Sequence, residues 1–348
     1  MPARVAVLAP FTSPSVRGNA ITVDRIVRGL RERGVELRVW DLSNEAEADV
    51  DAGLRRYRPN LIHAFHAFRT GPLAARVAQS SEIPLVVTLT GTDANHDLVD
   101  PERASTVRDV LERADAVTAF HASIAERVAA ALPGTRARLT VIPQSVRMPT
   151  GHRFDLDERW RIPSERRLFV FPAGIRMVKN PQLPLAAFDR LVRRHAEVRL
   201  LYVGPILDRE EGESLARALV GRPWARHLGA IPHEHMESLL SQADVVLNCS
   251  ISEGGMANSV LEALMLGRAV LASDIEGNRS LIEDRVTGVL FRDADELEAG
   301  AERLAVDPAL CARLGAAGRE RVRRLYPPER EPDGYLGVYG RLLAVPST

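Results

Sequence analysis

At 348 residues, with 45% hydrophobic and 26% charged side chains, the chain is too long for one comfortable core and reads as two globular domains. Its 46 basic and 46 acidic residues cancel, which excludes a global field for recruiting nucleic acid or an anionic membrane, so any anion site must be local. Two cysteines, Cys249 and Cys311, stand far apart in no metal-ligand spacing, which suits a reducing cytoplasmic setting, and no apolar run reaches the roughly 20 residues that span a bilayer.

The opening MPARVAVLAPFT enters a strand-like run directly, without the charged and long apolar regions of a signal peptide. Short β-branched runs follow at residues 5–8, 36–40, 61–63, 85–89, 116–120 and 139–142. Amphipathic stretches such as 21–33 and 107–113 lie between them. This alternation predicts βαβ units and a parallel sheet with helices on both faces, whose ligands bind beyond the carboxyl ends of the strands. Residues 147–166 are polar, carry prolines at 149 and 163, and read as a linker. The alternation restarts at 168–171 and continues through 200–203, 226–228, 245–248, 269–272 and 288–291, which predicts a second parallel α/β domain. Pro327 and Pro328 stop one helix, and 329–343 has the spacing of another.

Two loops of the second half carry chemistry. In FPAGIRMVKNP (171–181), Arg176 and Lys179 follow a strand end, placed to converge on one diphosphate or else forming an exposed basic turn. Lys179 is the only lysine among the 46 basic residues, and a compact ammonium suits a phosphate oxygen in a tight pocket. In SISEGGMANSVLEALMLG (250–267), Glu253, Gly254 and Gly255 make a flexible turn before a helical run at 257–265. Glycines at a helix entrance let backbone N–H groups approach a phosphate. Glu262 lies in that run among apolar neighbours and needs a partner: a ribose diol, an arginine or solvent.

The segment EGGMANSVLEALMLGRAVLASDIEGNRSLIEDRVTG (253–288) closely resembles the signature of the retaining family 4 glycosyltransferases with the GT-B fold. GIRMVKNP resembles that family's diphosphate clamp. HLGAIPHEHMESLLSQADVV (227–246) resembles its base-binding strand and following helix. The layout, including GNAIT, HAFRTG, TGTD, GIRMVK and EREPDGYLGVY, looks most like the cytosolic glycosyltransferase 1 domain-containing group. The resemblance implies two Rossmann-like domains facing across a cleft. Residues 1–147 would form the acceptor domain and 148–328 the nucleotide-sugar domain, with 329–348 a helix packing back on the first.

It implies further that Arg176 and Lys179 hold the diphosphate, that Glu262 holds the ribose, and that backbone around Ala230 and Ile231 meets the base. Glu253 would meet the donor sugar, and Gly255, Met256, Ala257, Asn258 and Ser259 would help Gly254 line the donor. Gly18 and Asn19, after the first strand, stand where the family often has a glycine-rich loop beside the donor phosphates. Two departures stand out. The family separates its two glutamates by seven residues, whereas eight separate Glu253 from Glu262. In PLVVTLTGTD (84–93), Thr90 replaces the family's usual histidine facing the reacting sugar. His66, with Arg69 beside it, is the nearest candidate replacement, although His63 and His66 also read as satisfied core histidines. Thr90 and Asp93 complete the expected acceptor side.

Other signals carry less. Asp155-Leu156-Asp157 mimics a D-x-D metal motif but follows no strand. His233-Glu234-His235 is not H-E-x-x-H, and residues two apart do not share a helix face. No G-x-G-x-x-G follows the first strand, and no P-loop or G-x-S-x-G occurs. The arginine clusters at 159–167 and 319–324 read as solvated faces. The expectation is a metal-independent, retaining transferase using a UDP-sugar, with Glu253, Lys179, Arg176 and His66 in the chemistry and no cofactor. A nucleotide-sugar epimerase or hydrolase, and a non-catalytic nucleotide-sugar-binding protein, remain as alternatives.

Overall fold

The structure is a computed structural model that describes residues 3–15, 17–148, 151–156, 166–253 and 255–344. The chain divides into two units: residues up to 145 together with those from 328 onward, and residues 146–327.

In the first unit, strands β1 (Arg4–Ala9), β2 (Glu36–Asp41), β3 (Leu61–Phe65), β4 (Leu85–Leu89), β5 (Ala116–Ala119) and β6 (Leu139–Val141) form a parallel sheet of order β2-β1-β3-β4-β5-β6. The helices are α1 (Gly18–Arg31), α2 (Glu47–Tyr57), α3 (Gly71–Ser81), α4 (Ala104–Arg113) and α5 (Ala122–Ala131). Every residue of β3 and β4 is buried, as expected for strands covered on both faces. The period of two sorts β1 between two cores: Ala6 and Leu8 enter one cluster, Val5, Val7 and Ala9 the other. α1 covers the second face with Val23, Ile26, Val27 and Leu30, which recur at helical spacing.

In the second unit, β7 (Arg167–Pro172), β8 (Val198–Val203), β9 (Ala225–His227), β10 (Val245–Asn248), β11 (Ala269–Ser273) and β12 (Val289–Phe291) form a parallel sheet of order β12-β11-β10-β7-β8-β9. Its helices are α6 (Leu183–Arg194), α7 (Arg209–Leu219), α8 (Met236–Ser241), α9 (Asn258–Met265), α10 (Glu276–Leu281), α11 (Ala294–Val306) and α12 (Pro308–Leu325). The starts of α7, α11 and α12 are fixed by Asp208, Asp293 and Asp307, whose side chains accept from first-turn N–H groups. In each sheet the strand order reverses once, between β1 and β3 and between β7 and β10. Such reversals part the loops at the carboxyl ends of adjacent strands and leave a crevice for ligands.

The last helix, α13 (Arg330–Leu343), returns to the first unit. Tyr335, Val338 and Tyr339 pack among Val5, Val7, Val23 and Ile26. A buried polar ladder runs beneath it. Tyr339 Oη meets His63 Nδ1 at 2.6 Å, His63 Nε2 meets Thr88 Oγ1 at 2.6 Å, and Thr88 Oγ1 meets Thr118 Oγ1 at 2.6 Å. Burial pushes the His63 pKa down to about 3, so the ring is neutral and structural. At the start of α13, Glu331 is fully buried. It accepts from Arg25 Nε (2.7 Å) and Nη2 (3.0 Å), and from Ser145 N (3.2 Å) and Oγ (3.0 Å).

The expected linker differs in one stretch. Phe154 and Leu156 are buried in the second unit's core, Phe154 N donates to Ser238 Oγ (2.9 Å), and Gln242 Nε2 donates to Phe154 O (2.6 Å). Two apolar side chains in a polar run gain more from that core than from water, so this stretch belongs to the second unit. Asp155 pairs with Arg153, while Asp157 and the arginines at 159 and 161 lie outside the described residues. Among the described residues no helix is long and apolar enough to cross a membrane.

Removing one partner of a buried ion pair leaves the other unpaired, at about 3 kcal/mol or more. Glu331→Ala should therefore lower stability in urea by about that much and make α13 sensitive to limited proteolysis. Asp333→Ala, which removes the exposed partner of Arg33, should cost about 0.5 kcal/mol or less. Equal effects of the two substitutions would contradict this account of α13.

Candidate functional site

In the second unit the loops after β7 and β10 leave the sheet at its reversal point. After β7, Arg176 is extended, a tight 3₁₀ turn spans Met177–Lys179, and Asn180 is left-handed. Ile251 N donates to Val178 O (2.9 Å), which ties the second loop to the first. Lys179 Nζ then meets Glu253 Oε1 at 2.5 Å, with side-chain exposures of 14% and 12%. Glu253 also accepts from Ser250 Oγ (2.7 Å) and Asn248 Nδ2 (3.3 Å). Burial alone would raise the Glu253 carboxyl, but the charge and hydrogen bond of Lys179, with those of Ser250 and Asn248, hold it below the usual carboxylate range. Arg176 lies exposed in the same β7 loop.

Polar groups underneath fix the Glu253 loop. Fully buried Asn278 donates from Nδ2 to Ser273 O (2.9 Å) and Asn248 Oδ1 (3.2 Å), and Ser273 Oγ donates to Ser250 O (2.6 Å). At Gly277 a Cβ would stand 2.4 Å from Gly255 O and 2.7 Å from Glu253 Cβ, so only glycine lets the loop lie against α10. Gly255, Met256 and Ala257 are buried, Asn258 and Ser259 open α9, and Gly254 lies outside the described residues.

Glu262 points inward from α9 and is 9% exposed at its side chain. Its partner is neither arginine nor solvent: His233 Nε2 lies 2.8 Å from Glu262 Oε1. His233 stands in a short turn two residues after Ile231, which is buried in the core with Val260 and Leu261. The H-E-H triplet, with no metal spacing, thus supplies a carboxylate partner instead. Among the described residues no group of three metal-ligating side chains converges. Asn248, Ser250, Ser273, Gly277, Asn278 and His233 were not expected as site residues. The asparagine and serines ending β10 and the EGN triplet after β11 were the available signals.

In the first unit, Gly18 and Asn19 are the first residues of α1, where the loop leaving β1 ends. Asn19 Nδ2 reaches Thr90 Oγ1 at 3.4 Å. Asp93 is fully buried and accepts from the backbone N–H of Ala67, Thr90, Gly91 and Ala94, joining the loops after β3 and β4. His66 takes a left-handed φ of 83°, unusual for a non-glycine residue, and is only 1% exposed. Its Nδ1 accepts from Arg69 N (3.3 Å), so in the neutral ring Nε2 carries the proton and donates to Thr92 Oγ1 (2.9 Å). Burial pushes the His66 pKa down; Asp93 and Asp97 oppose this while Arg69 and Arg103 reinforce it. His66 is thus enclosed, and Arg69 is exposed beside it.

Two parallel six-stranded α/β units in one chain have the architecture of the GT-B fold. The family model of the glycosyl transferases group 1 matches residues 152–321, and that of the glycosyl transferase 4-like domain matches 4–144. Two glycosyltransferase family models thus cover the two units between them. The chain is 26% identical over 324 residues to glycosyltransferase 1 domain-containing protein 1 of Xenopus tropicalis, covering 91% of this chain and 92% of that protein. In fold it is similar to Anabaena HepE in complex with UDP and glucose, with TM-score 0.83 and 15% identity over 98% of this chain and 100% of the other. It is likewise similar to sucrose-phosphate synthase of Thermosynechococcus elongatus, with TM-score 0.83 and 20% identity over 98% and 99%.

The depressed Glu253 pKa has a checkable sign. Its charged pairing stabilises the fold above the ordinary glutamate value of about 4.3 and is lost as pH falls through the lowered value. In Lys179→Ala, burial loses its main opponent, and the Glu253 carboxyl should titrate higher than in wild type. Infrared or ¹³C NMR titration of that carboxyl reads the shift directly. An unchanged titration would mean that Lys179 is not what holds the charge.

Proposed function

We propose that the protein transfers a sugar from a UDP-sugar to a small-molecule acceptor, with retention at the anomeric carbon and without a metal ion. The observation that carries this reading is the Lys179–Glu253 pair at the reversal of the second sheet. Each group answers the other's charge. A bound diphosphate offers Lys179 a stronger partner, and the Glu253 carboxylate is then released toward donor-sugar hydroxyls. Arg176 adds a second cation from the same loop, and the backbone at 255–258 adds N–H donors at the entrance to α9. Together they supply the charge stabilisation that a departing diphosphate needs, in the place where other enzymes use a metal.

Glu262, held by His233, accepts from the ribose diol, and the backbone near Ile231 faces the base. Uracil is the base we favour, and the UDP complex of HepE on the same fold supports it. In the transfer step the bond from the anomeric carbon to the diphosphate oxygen breaks. The acceptor oxygen bonds to that carbon on the same face, and the acceptor proton passes to the departing diphosphate. This route needs no histidine base, which suits Thr90 at its position and the enclosed His66. The first unit supplies acceptor contacts from Arg69 and Thr90, whose loop the buried Asp93 carboxylate holds in place. Two buried, unpaired thiols, Cys249 and Cys311, fit a cytoplasmic setting.

Purified protein is incubated with a panel of UDP- and GDP-sugars, and free nucleotide, epimer and binding are read separately. Lys179→Ala and Arg176→Ala should each weaken UDP binding by about 1.5–3 kcal/mol, the worth of one charge-assisted contact. A chelator should leave turnover unchanged. Wild-type UDP affinity in both variants would reject the diphosphate assignment, and epimer formation would reject transfer.

A further inference from the structure

The Glu262 side chain is only 9% exposed, and a carboxylate so withdrawn from water needs donors for its roughly four lone-pair sites. Among the described residues one hydrogen bond reaches that carboxylate, from His233 Nε2 to Oε1 at 2.8 Å. A carboxylate only accepts, so Nε2 carries the proton. Val260, Leu261, Ala263 and Leu264 flank Glu262 on α9 and are fully buried. Stability alone would favour an apolar residue among them, because a carboxylate with one donor is still short of partners.

The histidine is placed as firmly as the glutamate. β9 ends at His227, whose Nε2 meets Gly204 O at 2.8 Å, and Gly204 N donates to Gly229 O at 2.9 Å. Leu228 and Ile231 share a core with Val260 and Leu261 of α9. Pro232 then opens the turn that carries His233, and His235 N closes it on Pro232 O at 3.0 Å. The ring is 26% exposed, so it lies nearer to water than the carboxylate it holds. Without such a contact the terminal torsion of a glutamate is broad and poorly defined.

We propose that His233 is a positioning residue for nucleotide recognition. By holding Oε1 of Glu262 it fixes the plane of the carboxylate, so that the remaining lone pairs meet two vicinal hydroxyls and the site selects ribonucleotides over deoxyribonucleotides. The proposal rests on the reading of Glu262 as the ribose contact, and adds to it the residue that orients the carboxylate and the selectivity that results. A 2′-deoxyribose brings one hydroxyl in place of two and leaves a withdrawn acceptor unfilled, which a fixed carboxylate cannot relieve by turning.

Full-length protein is titrated by calorimetry with UDP and with 2′-deoxy-UDP, as wild type, His233→Ala, His233→Gln and Glu262→Gln. Wild type should prefer UDP by about tenfold or more. His233→Ala should cut the preference to about threefold or less. His233→Gln, which keeps a side-chain N–H donor, should restore most of it, and Glu262→Gln, in which one acceptor becomes a donor, should lose it. A histidine that only supports the fold would lower both affinities alike and leave their ratio unchanged. In wild-type protein labelled with ¹⁵N-histidine, UDP should move the His233 ring resonances further than 2′-deoxy-UDP does, which needs no variant to fold. A wild-type ratio in His233→Ala with the preference lost in Glu262→Gln, or equal ring shifts with the two nucleotides, would overturn the role of His233 and leave the ribose contact standing. Equal binding of both nucleotides by wild type, or full preference in Glu262→Gln, would instead overturn the ribose contact and the proposal with it.

Discussion

A lysine ammonium and a glutamate carboxylate that are both mostly withdrawn from water must each find a partner, and at the reversal of the second sheet they find one another. That constraint orders much of the second unit. Lys179 is presented by a tight turn whose backbone is tied to the next loop, and Glu253 by a loop held from below by Asn248, Ser250, Ser273 and Asn278. Desolvation costs such a pair several kcal/mol per ion, so a pair kept only for stability would gain little over apolar packing. Its value lies in holding opposite charges where a diphosphate and a sugar can separate them.

The two units apply one architectural rule to different chemistry. Each sheet reverses its strand order once, and two loops flank each reversal at the carboxyl end of the strands. In the second unit those loops carry a lysine matched by a carboxylate. In the first they carry Arg17 and Arg69, each within cation–π distance of Phe11. The neighbouring β4 loop is stiffened by Asp93, whose carboxylate substitutes for missing backbone partners, and by His66 in a backbone conformation that non-glycine residues rarely adopt.

The short apolar runs marked all twelve strands of the described residues, because the central strands of a sheet covered on both faces are largely apolar, while the edge strands β2 and β9 keep only a partial signal. The carboxyl-end loops were legible for the same reason, since polar and glycine residues interrupt those runs at Gly174, Asn248 and Thr90. Less was legible where a partner lies far away in sequence. Nothing local in Glu262 says that His233 will meet it, and nothing in Gly277 says that the Glu253 loop will press upon it. Phe154 and Leu156, two apolar side chains in a polar run, were absorbed into the linker because composition averages over them. Gly18 and Asn19 stand where the resemblance implies a glycine-rich loop, and they are the first two residues of α1.

The central claim is that Lys179 exchanges Glu253 for a diphosphate. A crystal structure of the full-length protein with UDP bound tests it most directly. The account predicts a diphosphate oxygen about 2.8 Å from Lys179 Nζ, the usual charge-assisted distance, with the ribose diol on Glu262 and the Lys179–Glu253 contact opened. UDP bound elsewhere, with the Lys179–Glu253 contact closed, would contradict it.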